Sequence, residues 1–350
     1  MPRHTLVARL ATEKGLTLVG PDALRMQRRR CGRGFLFLDA EGRPVRDPVE
    51  MARLKALAVP PAYSNVRYAA DPRAHLQAIG EDAAGRLQYR YHPKWAEVRE
   101  ALKARRLAGL AKALPAIRRA VARCMSASPS DRRFVAACVV DLVSLTAIRA
   151  GSEEYARERG TRGATTLLKS NVALCRNGIV RITFRGKGGK VVTKEVKSRR
   201  FHSAVRDLLA VPGRRLFQWR DEDGEARPVR ADDVNAFLHD VAGARISLKD
   251  FRTLVASAAA LRALAATEPA SSQKERRRQV RAVVEEVAQT LANTPTVCRT
   301  SYVHGAVVAA FEAGALKGRK VGRPGSPVGE AEVLARIVSS ASRAGRTMPK

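Results

Sequence analysis

Residues 172–197, VALCRNGIVRITFRGKGGKVVTKEVK, constrain the fold most. Apolar and polar residues alternate there with period two, the signature of half-buried strands. The alternation breaks at Asn177-Gly178 and Gly188-Gly189, the dipeptides that close tight hairpins. Three short antiparallel strands are therefore expected. The flanking sequence has a different period. AEVREALKARRLAGLAKALPAIRRAVARCM (96–125) is rich in Ala, Leu and Arg at helical spacing, and 128–160 opens on Ser-Pro-Ser-Asp, a capping signal, before running helical. After the strands, SAVRDLLA, RADDVNAFLHDVAG, SLKDFRTLVASAAALRALAA and KERRRQVRAVVEEVAQTLANT all read as helices.

The first 95 residues read otherwise. GRGFLFLDAEGRPV (32–45) alternates and then turns at Glu41-Gly42, VPPAYSNVRYAADP (59–72) gives short extended pieces after two prolines, and 75–93 gives two strands joined by a glycine turn. The expected fold class is α+β. A small β-rich N-terminal domain spans 1–95, and a larger, mainly helical domain with the three-strand insert spans 96–318. A basic tail, 319–350, is expected to be flexible; its VGRPGSP piece is faintly like a minor-groove hook but lacks an arginine before its glycine.

Charge narrows the partner. Lys and Arg outnumber Asp and Glu 65 to 33, a formal charge of +32, in a chain that is 45% hydrophobic. Self-repulsion on that scale is tolerable beside a polyanion, so a folded nucleic-acid enzyme or binding domain is expected, not a basic tail protein. Cys31, Cys124, Cys138, Cys175 and Cys298 form no CxxC pair, and the six histidines are scattered. Free thiols in a reducing cytoplasm and no zinc site follow. RGKGGK (185–190) lacks the spacing of a nucleotide-binding loop. No cofactor, nucleotide, metal or membrane partner is expected, and the sequence shows neither an apolar run of spanning length nor a signal peptide.

A tyrosine in a chain this basic suggests a phenol that attacks a phosphodiester. Such a reaction needs cations on the non-bridging oxygens, best supplied by arginine forks. It needs a proton donor for the leaving 5′ oxygen, which a lysine among other cations can be. It also needs a further donor for the developing charge. The chain offers Arg149 near a helix end, Lys187 on the glycine-flanked turn, Arg252 after Lys-Asp-Phe, Asn293 before Thr-Pro, and Tyr302 nine residues beyond it. Singly, each reads as a surface or core residue; the ordered set carries the signal. Gln88, Tyr89, Arg90 and Tyr91 alternate along one strand. Their tyrosines either meet DNA, with Arg90 on the other face, or sit in the core of a half-buried strand.

VPPAYSNV, HLQAIGEDAAGRLQYRYHPKW, TAIRAGSEEYARERGTRGATTLLKSNV, FRGKGGK, SLKDFRT and LANTPTVCRTSYVHG together resemble the type IB DNA topoisomerases, specifically their small poxvirus-like bacterial branch, over about residues 20–315. The resemblance implies a topoisomerase IB/tyrosine recombinase-like catalytic domain and a monomer clamping duplex DNA at the cytoplasmic nucleoid. It implies ATP- and metal-independent relaxation through a 3′-phosphotyrosyl intermediate. By position, Arg149 and Arg252 would bind the scissile phosphate, Lys187 would be the general acid and Tyr302 the nucleophile. Gln88, Tyr89, Tyr91 and Lys249 match DNA-contacting positions. Two departures stand out. Asn293 occupies a position where many members have histidine, and Ser152 and Glu154 stand where poxviral members carry site-reading lysines. A tyrosine recombinase is a rival, against which stand Lys249-Asp250-Phe251-Arg252 in place of H-x-x-R and the N-terminal VPPAYSNV…QYRYHP domain. A non-catalytic DNA-binding protein of the same fold is a second.

Overall fold

The computed structural model describes residues 3–127, 131–318, 321 and 327–344. Ser128-Pro129-Ser130 of the expected cap and residues 322–326 of the hook-like piece lie outside them. The chain divides into two compact units, Met1–Leu102 and Lys103–Lys350.

The first unit is built on an antiparallel five-stranded sheet with strand order β2-β1-β3-β4-β5. The strands are β1 (Met26–Cys31), β2 (Gly34–Leu38), β3 (Ser64–Tyr68), β4 (Leu76–Glu81) and β5 (Leu87–Tyr91), with helices α1 (Arg3–Thr12) and α2 (Pro48–Ala56). The expected turn at Glu41-Gly42 forms, with Gly42 at φ 80° and the Asp39 N–H donating to Arg43 O at 2.9 Å. It does not close a long hairpin. Beyond it Pro44 bridges back to Leu38, and the Val45 N–H donates to Phe37 O at 2.9 Å. The pairing ends there because Asp47 caps α2, accepting from Val49 N. β2 instead pairs along its length with β1, through Gly32 at φ 54°. Met26, Phe37, Leu54, Val66, Tyr68 and Ala78 form a buried cluster of this unit. β5 is one edge of the sheet.

The unit boundary falls within α3 (Trp95–Cys124). The second unit continues with α4 (Arg132–Thr146), α5 (Glu153–Arg159), the antiparallel insert β6 (Val172–Cys175), β7 (Ile179–Arg185) and β8 (Val191–Lys197), and α6 (Arg199–Ala210). A small hairpin, β9 (Gln218–Arg220) and β10 (Ala226–Pro228), follows. Then come α7 (Ala231–Ala242), α8 (Leu248–Ala265), α9 (Gln273–Thr290), the single turn α10 (Pro295–Val297), α11 (Gly305–Glu312) and α12 (Pro327–Ala344). Asp131 caps α4 by accepting from Arg133 N. The insert turns where the glycines predict, and its inward residues Val180, Ile182, Phe184, Val192 and Val196 join one core with α4, α6 and α8. Residues 327–344, part of the stretch expected to be a flexible tail, form α12. Its Leu334, Ile337 and Val338 are buried, and Glu330 pairs with Arg262 of α8 at 3.2 Å.

Candidate active site

Two helices end at one side chain. α4, expected to run on toward residue 160, stops at Ala147, whose φ of 52° is left-handed. α9 ends in a Schellman-type cap. Ala292 is left-handed at φ 50°, the Asn293 N–H donates to Ala288 O at 2.9 Å, and the Ala292 N–H donates to Gln289 O at 3.0 Å. Those bonds satisfy two of the four carbonyls a helix leaves open at its C-terminus. The Leu291 carbonyl accepts from Arg252 at 3.3 Å, and the Thr290 carbonyl accepts from the Lys194 ammonium at 2.6 Å. Arg252 also donates to the Ala147 carbonyl. It lies on the first turns of α8, is only 3% exposed, and joins the negative ends of α4 and α9. Burial pulls its guanidinium below its ordinary value; the Arg149 charge adds to that, and the Tyr302 phenol acts against it.

Arg149 sits three residues past the end of α4, in a loop clamped to a second loop. The Ala164 N–H donates to Arg149 O at 2.7 Å and the Thr165 N–H to Ala150 O at 2.8 Å. Gly163 permits this approach: a Cβ there would stand 2.5 Å from Gly151 N and 2.6 Å from Arg149 O. The guanidinium donates to the side-chain oxygen of Asn293. That orients the Asn293 amide nitrogen as a donor. The amide nitrogen and Arg252 Nε are both buried with no hydrogen-bond partner among the described residues.

Tyr302 closes a π-helical turn, Cys298–Tyr302, in which the Val303 N–H reaches back to Cys298 O at 2.9 Å. Such a wide turn re-aims a side chain and is frequent at functional sites. Ser257 of α8 fixes its exit, donating its hydroxyl to Tyr302 O at 2.9 Å and accepting from His304 N at 3.0 Å. The Tyr302 ring lies against Arg252, whose guanidinium carbon is 4.9 Å from the ring centre.

Arg149, Lys187 and Arg252 line one cleft, with Arg162, Lys194, Gly186 and the end of α9. No carboxylate lines it. Lys187 stands exposed on the β7–β8 turn, where Gly188 and Gly189 take φ values of 79° and 77°. The structure thus brings Arg149, Arg252, Asn293 and Tyr302 into one contact chain and puts Lys187 on the wall of the same cleft. Sequence reading missed Lys194, Arg162 and Ser257. Lys194 had a signal: it falls in the inward phase of β8, between Val192 and Val196, where a lysine is out of pattern.

The remaining candidates lie elsewhere. Tyr89 and Tyr91 project from the sheet edge, 44% and 41% exposed, so the reading that placed them in a core is set aside. Their rings stack 6.1 Å apart, and Tyr91 stacks on Trp95 at 6.2 Å. Gln88 donates to Asp82 at 2.9 Å, and Arg90 donates to Ala58 O at 3.1 Å. Lys249 is exposed on the first turn of α8. Among the described residues no helix is long and apolar enough to cross a membrane.

Residues 93–317 match the family described as eukaryotic DNA topoisomerase I, catalytic core. Residues 34–82 match bacterial DNA topoisomerase IB, N-terminal domain. DNA topoisomerase 1B of Acanthamoeba polyphaga mimivirus is 28% identical over 283 residues, 79% of this chain and 84% of the relative. Among solved structures, the XerH site-specific recombinase bound to a palindromic difH substrate aligns with a TM-score of 0.36 and 16% identity, over 57% of this chain and 50% of the recombinase. By the match over its catalytic core, the chain belongs to the DNA topoisomerase IB family.

Proposed function

We propose that the chain relaxes supercoiled duplex DNA by cutting one strand with Tyr302, and that the cation-lined cleft receives the scissile phosphodiester. One observation carries this reading. Five cationic side chains and no carboxylate line the cleft, and two buried donors beside it, Arg252 Nε and Asn293 Nδ2, lack acceptors. Buried donors without partners are costly, and a phosphate oxygen is the acceptor such a set fits.

The Tyr302 oxygen attacks phosphorus and the bond to the 5′ oxygen breaks, leaving a 3′-phosphotyrosyl link. Arg149 and Arg252 neutralise the non-bridging oxygens, and the Asn293 amide nitrogen donates to one of them. Arg252, against the ring, balances charge as the phenolic proton leaves. Lys187 gives its proton to the departing 5′ oxygen; its glycine-flanked turn leaves the side chain free to follow that oxygen. The free end swivels about the intact strand. The 5′ hydroxyl then attacks back and expels Tyr302. One ester replaces another at each step, so no nucleotide is consumed, and side-chain cations carry the charge that a metal carries in other phosphoryl-transfer enzymes. Gln88, Tyr89, Tyr91 and Lys249 make further DNA contacts. Phosphate contacts dominate binding and make it steeply salt-dependent. The protein acts as a monomer in the cytoplasm, at the nucleoid.

The test is supercoiled plasmid in EDTA without ATP. Wild type should relax it, and Tyr302→Phe should bind DNA yet form no covalent adduct. An adduct with that variant sinks the assignment.

A further inference from the structure

Lys194 stands out because its place in the strand is wrong for a surface lysine. β8 alternates, with Val192 and Val196 turned into the core and Val191, Thr193, Glu195 and Lys197 turned out. Lys194 takes the inward phase, yet its stem leads the ammonium to the wall of the cleft that Arg149, Lys187 and Arg252 also line. There it donates to the Thr290 carbonyl at 2.6 Å. An ammonium has three donors, and Thr290 takes one. Burial and the nearby Arg252 charge hold it below the ordinary lysine value. A fifth cation in a cleft lined by four others raises the free energy of the empty site, and an anion in the cleft relieves that cost. Capping α9 does not require this arrangement, since a cation on the outer surface serves a helix end as well. Three residues past Thr290 comes Asn293, whose amide can donate a hydrogen bond but holds no charge.

Building on the proposed phosphodiester site, we propose that Lys194 is a further catalytic residue, contacting a non-bridging oxygen of the scissile phosphate and supplying the positive charge that Asn293 lacks. Its ammonium works from the strand side of the cleft, opposite the helix-borne Arg252. The contact is electrostatic and leaves the bond-making steps unchanged.

The experiment is single-turnover cleavage of a duplex oligonucleotide whose cleavage position has been mapped with the wild-type protein. Lys194→Gln keeps a donor for Thr290, and Lys194→Met keeps the stem; both remove the charge, and either folded variant suffices. Each is run on the natural phosphodiester and on the two methylphosphonate stereoisomers, in which a neutral methyl replaces one non-bridging oxygen. On the phosphodiester, adduct formation should slow by about 10- to 100-fold relative to wild type. On at least one methylphosphonate the same ratio should shrink to below about threefold, because the charge that Lys194 meets is gone. An equal defect on all three substrates makes Lys194 a helix cap alone and overturns the proposal. So does an undiminished rate on the phosphodiester. If wild type itself forms no adduct, the reading of the whole site fails, and this inference fails with it.

Discussion

The guanidinium carbon of Arg252 lies 4.9 Å from the centre of the Tyr302 ring. That contact is made to the face of the ring. Tyr302→Phe should therefore unfold in urea within about 0.5 kcal/mol of wild type, whereas Tyr302→Ala should lose about 2 kcal/mol. Equal losses in the two variants would mean that the hydroxyl, not the ring, seats this residue.

Arg252 donates to the Ala147 and Leu291 carbonyls. A lysine lacks the planar fork whose two ends, Nη1 and Nη2, reach the two carbonyls. Arg252→Lys should lower stability by about 2–3 kcal/mol, because a buried carbonyl loses its partner. Covalent adduct formation, followed on a denaturing gel, should fall by at least about 100-fold. A variant as stable as wild type contradicts the role given to the two helix ends.

The nearest atoms that a Cβ at Gly163 would meet are all backbone. The missing Cβ leaves room for Gly151 N and Arg149 O, which a methyl group would approach to 2.5 and 2.6 Å. Gly163→Ala should cost about 1–3 kcal/mol and displace Arg149. The rate of adduct formation should drop more than DNA affinity does, since many other phosphate contacts remain. Gel-shift and cleavage measurements on one preparation make the comparison, and losses of equal size count against it.

Asp141 on α4 accepts from Arg200 at 2.7 Å, while its second oxygen is buried without a partner among the described residues. Burial raises its carboxyl above the usual value, and Arg200 and Arg118 oppose the rise. A raised folded value means that the native state holds the proton more tightly than the unfolded chain. The contribution is then most favourable below the ordinary aspartate range and is lost as pH rises through the folded value. Asp141→Asn removes this dependence. Its unfolding free energy should gain on that of wild type as pH rises from the acid side toward neutrality, in paired urea titrations. A gap that narrows instead reverses the assignment.

Much of the second unit was legible because its signals are local. Asn177-Gly178 and Gly188-Gly189 fix two turns, and period two fixes the strands between them. The end of α4 was not legible. Nothing in Thr146-Ala147-Ile148 resembles a stop, since alanine replaces the usual glycine at a left-handed position, and the break is held by Arg252, 105 residues away. Ala292 hides the end of α9 in the same way. The helix α12 was obscured by its neighbours: the Gly/Pro-rich stretch before it drew attention from the spacing of Leu334, Ile337 and Val338. Of the site, the sequence supplied the residue types and the resemblance their roles. Which side chains touch came from the fold, and so did Lys194, whose phase in β8 has meaning only once the strand's two faces are known.

The double duty of Arg252 has an evolutionary consequence. Lys187 stands exposed on a turn and supports no core, so a lineage can discard it and keep a folded protein that grips DNA. Position 252 offers no such freedom, because replacing it unties two helix ends. Descendants that have lost strand cleavage should therefore vary at 187 while still encoding arginine at 252, a pattern that would preserve a silent mark of the ancestral chemistry.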